Sequence, residues 1–192
     1  MSAILREGTI TKWDLQEETS NKMRNQKGFS LIELLIVVAI ILIIAAIAIP
    51  NLMRARIAAN ESAGASTVRT LNTAEATYST TYASFGYAPN LTALGPNGVD
   101  CTVPANVTAT SACLIDGILG TAPFTKGAFV YNISSSTATA PVPDYLITAI
   151  SITKTAATRD YCSNTDAIVR SQVTTGSGIA SATACNALPA IQ

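Results

Sequence analysis

The sequence contains no histidine, and only 12% of its 192 residues are charged. Histidine is the commonest general base and the commonest metal ligand in proteins, so its absence removes the most frequent catalytic and metal-binding arrangements. Nucleic-acid binding depends on clustered lysine and arginine, but here 12 Lys and Arg residues are balanced by 12 Asp and Glu residues. We therefore expect no catalytic site, no metal or other cofactor, and no nucleic acid as the primary partner.

Cysteine is scarce as well, and all 4 cysteines follow residue 100. An even number of cysteines indicates two disulfides in a domain that a membrane segment, described below, delivers outside the cytoplasm, although four cysteines permit three different pairings. Closing a short loop costs the least entropy, which favours pairing between sequence neighbours. We predict Cys101–Cys113 and Cys162–Cys185, and no zinc site, because no two cysteines are closely spaced.

One long stretch, residues 34–49, has neither a charge nor a hydrogen-bonding side chain. Counted from Phe29 to Ile49, a helix spans roughly 31 Å at ~1.5 Å per residue, which matches the ~30 Å hydrocarbon core of a bilayer. Basic residues at 22, 24 and 27 precede it. Such an excess holds the N-terminus in the cytoplasm and directs the C-terminal domain outward. No secretory signal peptide is evident before residue 28.

The junction Lys-Gly-Phe-Ser-Leu-Ile-Glu at residues 27–33, with the apolar run behind it, resembles the N-terminal signature of type IV pilins and type II secretion pseudopilins. The resemblance covers residues 27–61, and the layout of the remainder is most similar to that of a type IVa pilin. It implies that a prepilin peptidase cleaves between Gly28 and Phe29 and methylates the new amine of Phe29. Initiation at Met23 instead of Met1 would leave only a short leader.

Glu33 is the one acid inside the apolar segment. A carboxylate within hydrocarbon costs a few kcal/mol, about 3 on insertion scales, so it normally has a partner or reaches the headgroups. Cleavage supplies a partner, the amine of Phe29, about one helical turn away. The pair can form within one chain, or between chains to set the register of neighbouring helices. The family resemblance supports the second arrangement.

Pro50 ends the apolar run, and a proline inside a helix removes a hydrogen bond and favours a kink. Residues 51–82 contain no further proline and are rich in good helix formers, so we expect the helix to continue. Apolar and polar residues recur there at alternating spacings of four and three positions, which predicts that one face of the helix is packed. That face consists of Ile57, Glu61, Gly64, Val68, Leu71, Glu75, Tyr78 and Tyr82.

Turn-forming residues dominate from residue 83 to 127, which predicts an ordered loop between the helix and a sheet. Aromatic and β-branched runs then predict three strands, at residues 128–133, 145–153 and 167–173. The predicted fold is α+β, with a long N-terminal, partly transmembrane helix packed at its second half on a small antiparallel sheet. Its segments are a leader (1–28), an apolar helix (29–50), its amphipathic continuation (51–82), the loop (83–127), and the sheet with a disulfide-bounded C-terminal region (128–192).

We predict a structural subunit of a type IV pilus-like filament. The precursor would lie in the inner membrane as a single-pass protein, with lipid, the prepilin peptidase and the inner-membrane assembly machinery as its partners. Copies of itself would be the partners in the extracellular filament. The alternatives are a type II secretion pseudopilin, a minor pilin, or a surface-binding domain on a single-span anchor.

Overall fold

The structure is a computed structural model that describes residues 28–137, 139–174, 176 and 178–191. Its elements, in chain order, are α1 (Leu31–Thr81), α2 (Leu91–Leu94), a short 3₁₀ turn (Pro104–Asn106), β1 (Thr125–Lys126), β2 (Phe129–Ser134), β3 (Leu146–Ser151), β4 (Arg159–Asn164), β5 (Arg170–Val173) and α3 (Ala182–Asn186). One long helix followed by a sheet confirms the predicted α+β architecture.

The chain divides into two compact units, the first ending at Ala48 and the second beginning at Ile49. In its described part the first unit consists of the apolar beginning of α1. That stretch is long and apolar enough to cross a membrane, and none of its most apolar window is buried. The second unit holds the remainder of α1, the sheet and the connecting loops, and it contains the hydrophobic core.

The second half of α1 packs through one face, and that face is the one predicted from residue spacing. Its buried residues are Gly64, Ala65, Val68, Leu71, Asn72, Ala74, Glu75 and Tyr78. The contact is close at Gly64, where an added Cβ would lie 2.5 Å from Cε2 of Phe129. Helix and sheet therefore approach each other through a position that accepts only glycine without rearrangement.

The sheet is an antiparallel meander with its five strands in sequence order. Side chains of β2 alternate strictly between buried and exposed. Its inward residues Phe129, Tyr131 and Ile133 join the core that covers α1. Successive side chains of a strand point to opposite faces, so one face of β2 meets the helix and the other remains outside.

The prediction of three strands was incomplete, because β1 and β4 also belong to the sheet. β4 (Arg159–Asn164) carries Arg, Asp, Ser and Asn, which sequence patterns do not assign to a buried strand. The strand predicted at 167–173 begins only at Arg170, since Ala167 has φ 57° and its amide closes a turn on the Asn164 carbonyl. The strand predicted at 145–153 is shorter, Leu146–Ser151.

The segment predicted as a loop, 83–127, contains α2 and β1 in addition to turns. The side chain of Asn90 caps α2 by accepting a hydrogen bond from the Ala93 amide at 2.9 Å. In the C-terminal region, α3 is capped by the hydroxyl of Ser181. These helices have four and five residues, too short to produce a periodic pattern in the sequence.

Candidate assembly helix and processing site

The apolar beginning of α1 is exposed, and only Ala45 within it is partly buried. Leu31 is 80% exposed, Leu42 63% and Ile47 66%. Apolar patches larger than a few hundred Å² are rare on monomers and mark interaction surfaces. In the described part of the chain nothing covers this helix, so lipid or other protein copies must do so.

The predicted cleavage point precedes α1. A side chain added at Gly28 would meet no atom within 4 Å among the described residues. Neither Gly28 nor Phe29 belongs to the helix, which begins at Leu31. The peptide bond between Gly28 and Phe29 therefore lies outside the helix, just before its first residue.

Glu33 lies in the first turn of α1. One carboxylate oxygen, Oε2, accepts a hydrogen bond from the Ser30 amide at 3.3 Å. A negative charge is favourable there, because the first amides of a helix carry a partial positive charge. The other oxygen has no partner among residues 28–191 that the structure describes, and it remains available to a cation.

Pro50 lies within α1, and the helix continues through it to Thr81. Proline has no amide hydrogen, so the helix lacks one backbone hydrogen bond at this point. The bend expected there stays a prediction.

Three polar side chains, Asn60, Glu61 and Asn72, fasten the second half of α1 to the sheet and to the connection between β3 and β4. Glu61 accepts hydrogen bonds from the backbone amide (2.9 Å) and the hydroxyl (2.5 Å) of Thr158. The side-chain Nδ2 of Asn60 donates a hydrogen bond to the Ala156 carbonyl at 2.7 Å. The side-chain Nδ2 of Asn72 donates one to the Ser163 hydroxyl at 2.9 Å.

Sequence reasoning did not identify Asn60 and Asn72 as structural residues. The available signal was their position on the second half of α1, next to the face predicted to pack. A polar side chain at such a place has to find a partner when the face is buried.

Glu75 is completely buried on the packed face of α1. Its Oε2 accepts a hydrogen bond from the Ala88 amide at 2.9 Å, whereas its Oε1 has no partner among the described residues. Burial raises the pKa of Glu75 to about 8, and the hydrogen bond from Ala88 opposes this only in part. Burial and the nearby Glu75 also raise the pKa of Tyr145 and Tyr78.

Two disulfides stabilise the loop before the sheet and the C-terminal segment after it. One joins Cys101 to Cys113 within the helix–sheet loop, and the other joins Cys162 of β4 to Cys185 of α3. Both connect sequence neighbours, with separations of 12 and 23 residues. The second disulfide ties the C-terminal region to the face of β4 that points away from α1.

Asp144, Asp160 and Asp166, three acids of the C-terminal half, each contact a different partner. Asp144 accepts a hydrogen bond from the Ser136 amide, and Asp160 accepts one from the Ser151 amide. Asp166 forms an ion pair with Arg170 at 2.6 Å. Each acid therefore serves its own turn or strand.

The chain has an uncovered apolar helix, a processing motif at the start of that helix and a disulfide-bonded head. These features are typical of subunits that assemble through an apolar N-terminal helix. The family described as "Prokaryotic N-terminal methylation motif" matches residues 23–49. A curated protein of Thermus thermophilus, described as "Type IV wide pilus major component PilA4", is 44% identical over 105 residues, which are 51% of this chain and 78% of that protein. No solved structure matches significantly.

This chain belongs to the type IV pilin family. It is a structural pilus subunit with a prepilin motif, and the pseudopilin and the plain surface anchor are not favoured by the comparisons. Family membership confirms assembly into a homo-oligomeric filament.

Proposed function

We propose that this pilin is made as an inner-membrane precursor with its leader in the cytoplasm. A prepilin peptidase cleaves it between Gly28 and Phe29 and methylates the amine of Phe29. Assembly machinery of the inner membrane then moves the subunit from lipid into the filament. The open space around Gly28, which lies outside the helix, and the prepilin motif at residues 23–49 support the processing step.

The observation that carries the proposal is the exposed apolar beginning of α1, which continues within the same helix into the part that is packed on a folded head. In a filament the apolar helices form the core and the sheet domains form the outer surface. The head needs no catalytic residue for this role, and we propose a purely structural function. The description of the Thermus relative as a major component supports the same role here.

Moving an apolar helix from lipid into a bundle of such helices gains little hydrophobic free energy, because lipid is itself apolar. Close packing at small residues such as Ala39, Ala45 and Ala48 supplies part of the driving force. The remainder comes from Glu33, which pairs with the N-terminal amine of Phe29 in a neighbouring subunit. This pairing also sets the axial register, because the charge on each helix has one position of lowest energy.

Processing is tested by changing Gly28 to Val and following the molecular mass of the subunit. The wild-type protein from sheared filaments is expected to begin at Phe29 with one added methyl group in intact-mass spectrometry. Gly28→Val is expected to accumulate at precursor size, since a branched side chain obstructs the peptidase. Ser30→Ala, which lies two residues beyond and leaves the cleaved bond unchanged, serves as the control. Recovery of mature-sized Gly28→Val would contradict the assigned cleavage point.

A further inference from the structure

Three cations lie close to the end of the apolar run. Arg54 and Arg56 follow Ile49 on α1, and Lys154 lies in the connection between β3 and β4. All three residues are exposed. We refer to Arg54, Arg56 and Lys154 as the basic collar.

The connection that carries Lys154 lies against α1 at the level of Arg56. The amide of Asn60 donates to the Ala156 carbonyl at 2.7 Å, which holds the connection to the helix. Arg56 shares the lining of one surface depression with Thr153 and Thr155, the two neighbours of Lys154. Arg56 and the segment that carries Lys154 therefore belong to one region of the second unit, and Arg54 precedes Arg56 by two residues on the same helix.

The basic collar has no acidic counterpart in the described part of the chain. The ion pairs found there join Lys126 to Asp116 and Arg170 to Asp166. Neither pair involves a residue of the collar. Its positive charge is therefore available to an external anion.

Exposed apolar side chains accompany these cations. Leu52 is 71% exposed, Met53 56% and Ile152 50%. Cations together with exposed apolar groups are typical of surfaces that lie in the interface of a membrane. Arg54 and Arg56 are two positions apart, so they leave the helix on different sides. A single acidic partner on one side does not match this arrangement, whereas lipid headgroups surround a helix.

We propose that the basic collar binds the anionic phospholipid headgroups of the leaflet from which α1 emerges. The inference rests on the proposed membrane precursor. The apolar run is long enough to fill the ~30 Å hydrocarbon core, which places the following turns of the helix among the headgroups. Binding there holds the 152–156 segment on the membrane surface until the subunit is extracted into the filament, where the headgroups are lost.

The test uses the full-length chain in nanodiscs of two compositions, one of phosphatidylcholine alone and one with added phosphatidylglycerol. Acetic anhydride, an uncharged reagent, acylates exposed lysines, and mass spectrometry gives the rate at Lys154 relative to Lys126 in the same molecule. Near an anionic leaflet, the binding equilibrium of one lysine or arginine side chain with the membrane surface shifts by a factor of about 5. The Lys154 to Lys126 ratio is expected to fall about fivefold in the anionic discs and to recover in 1 M salt, which screens charges beyond ~3 Å.

The double variant Arg54→Gln and Arg56→Gln removes two charges of the collar and leaves the reporting lysine in place. Its Lys154 to Lys126 ratio is expected to be the same in both nanodiscs. The matched double variant Arg69→Gln and Arg159→Gln removes two exposed arginines elsewhere, and it is expected to retain the wild-type difference. The proposal is overturned if the wild-type ratio does not depend on the lipid, or if both double variants behave like the wild type.

The same experiment separates this proposal from the one on which it rests. A chain that enters both kinds of nanodisc but acylates Lys154 equally in both is a membrane protein without headgroup binding by the collar. A chain that enters neither nanodisc contradicts the membrane precursor and the lipid-binding collar together.

Discussion

Replacing Glu75 with Gln tests whether a buried carboxyl makes the stability of the head depend on pH. The side chain is completely buried, with one oxygen bound to the Ala88 amide at 2.9 Å and the other without a partner among the described residues. Glutamine keeps an oxygen acceptor for Ala88 and has nearly the same shape, but it cannot ionise. The substitution therefore removes the ability to ionise and keeps the packing.

The sign of the effect follows from the two pKa values. Burial raises the pKa of Glu75 from 4.5 to about 8 in the folded protein. Between these values the folded state retains the proton and the unfolded state has released it, so the free energy of unfolding falls as pH rises. Each rise of one pH unit in this window lowers the free energy of unfolding by about 1.4 kcal/mol, and the interval from pH 5 to pH 7 lowers it by about 2.7 kcal/mol.

Other shifted carboxyls do not interfere in this window. Hydrogen bonds from Thr102 lower the pKa of Asp100, and the hydrogen bond from Arg170 lowers the pKa of Asp166. Burial acts to raise the pKa of Asp116, but Lys126 and the Leu119 amide together outweigh it, so this pKa is also lowered. Their stabilising contributions are present above their unfolded pKa values and disappear only in more acidic solution. Stability changes between pH 5 and pH 7 therefore report mainly on Glu75.

The assay is thermal unfolding of the full-length chain in mild detergent, followed by near-ultraviolet circular dichroism at pH 5 and pH 7. The wild-type Tm is expected to fall by about 5 to 10 °C over this interval. The Tm of Glu75→Gln is expected to be the same at pH 5 and pH 7, and at pH 7 it is expected to be higher than the Tm of the wild type.

The control is Glu61→Gln, which also removes a carboxylate from α1 but at a partly exposed position that bonds Thr158. It is expected to keep the wild-type dependence on pH. A wild-type Tm that is constant from pH 5 to pH 7, or a Glu75→Gln variant with the wild-type slope, would refute the reasoning.

Two further substitutions test the packing of the head. Gly64→Ala is expected to cost about 1–3 kcal/mol, since its Cβ would lie 2.5 Å from the buried ring of Phe129; Ser62→Ala, an exposed position on the same helix, is its control, and equal Tm values for the two variants would contradict the close contact. Replacing Cys162 and Cys185 together with Ser is expected to cost about 2–5 kcal/mol in chemical unfolding. An unchanged midpoint would show that the disulfide contributes little.

The helix and its buried face were predictable from the sequence because periodic spacing over many turns is a strong signal. Val68, Leu71 and Tyr78 recur at helical intervals, and all three are buried. The strands β2 and β3 were predictable because β-branched and aromatic residues dominate them. Local chemistry and global fold agree in these elements.

β4 was not predictable because its stability comes from contacts with distant residues. On one face, Ser163 forms a hydrogen bond with Asn72 of α1. On the other face, Cys162 forms a disulfide with Cys185, and Asn164 forms a hydrogen bond with Asn186. With both faces covered, polar side chains are buried in pairs, and no alternation of polar and apolar residues remains in the sequence.

The burial of Glu75 was equally outside the reach of the sequence. Its spacing placed it on the packed face, but spacing does not reveal whether such an acid reaches solvent. The deciding contact is with Ala88, in the loop beyond the end of α1. Glu33 differs, because an acid inside an apolar run of membrane length is conspicuous in the sequence alone.

The most direct test of the account is to count filaments from cells that express Glu33→Val, by electron microscopy, beside wild-type cells and cells with Glu61→Gln. If pairing of Glu33 with the amine of Phe29 drives assembly, Glu33→Val is expected to give subunits of mature mass that stay in the membrane fraction, with few filaments. Glu61→Gln is expected to give filaments at the wild-type level. Abundant filaments of normal appearance from Glu33→Val would contradict the central claim.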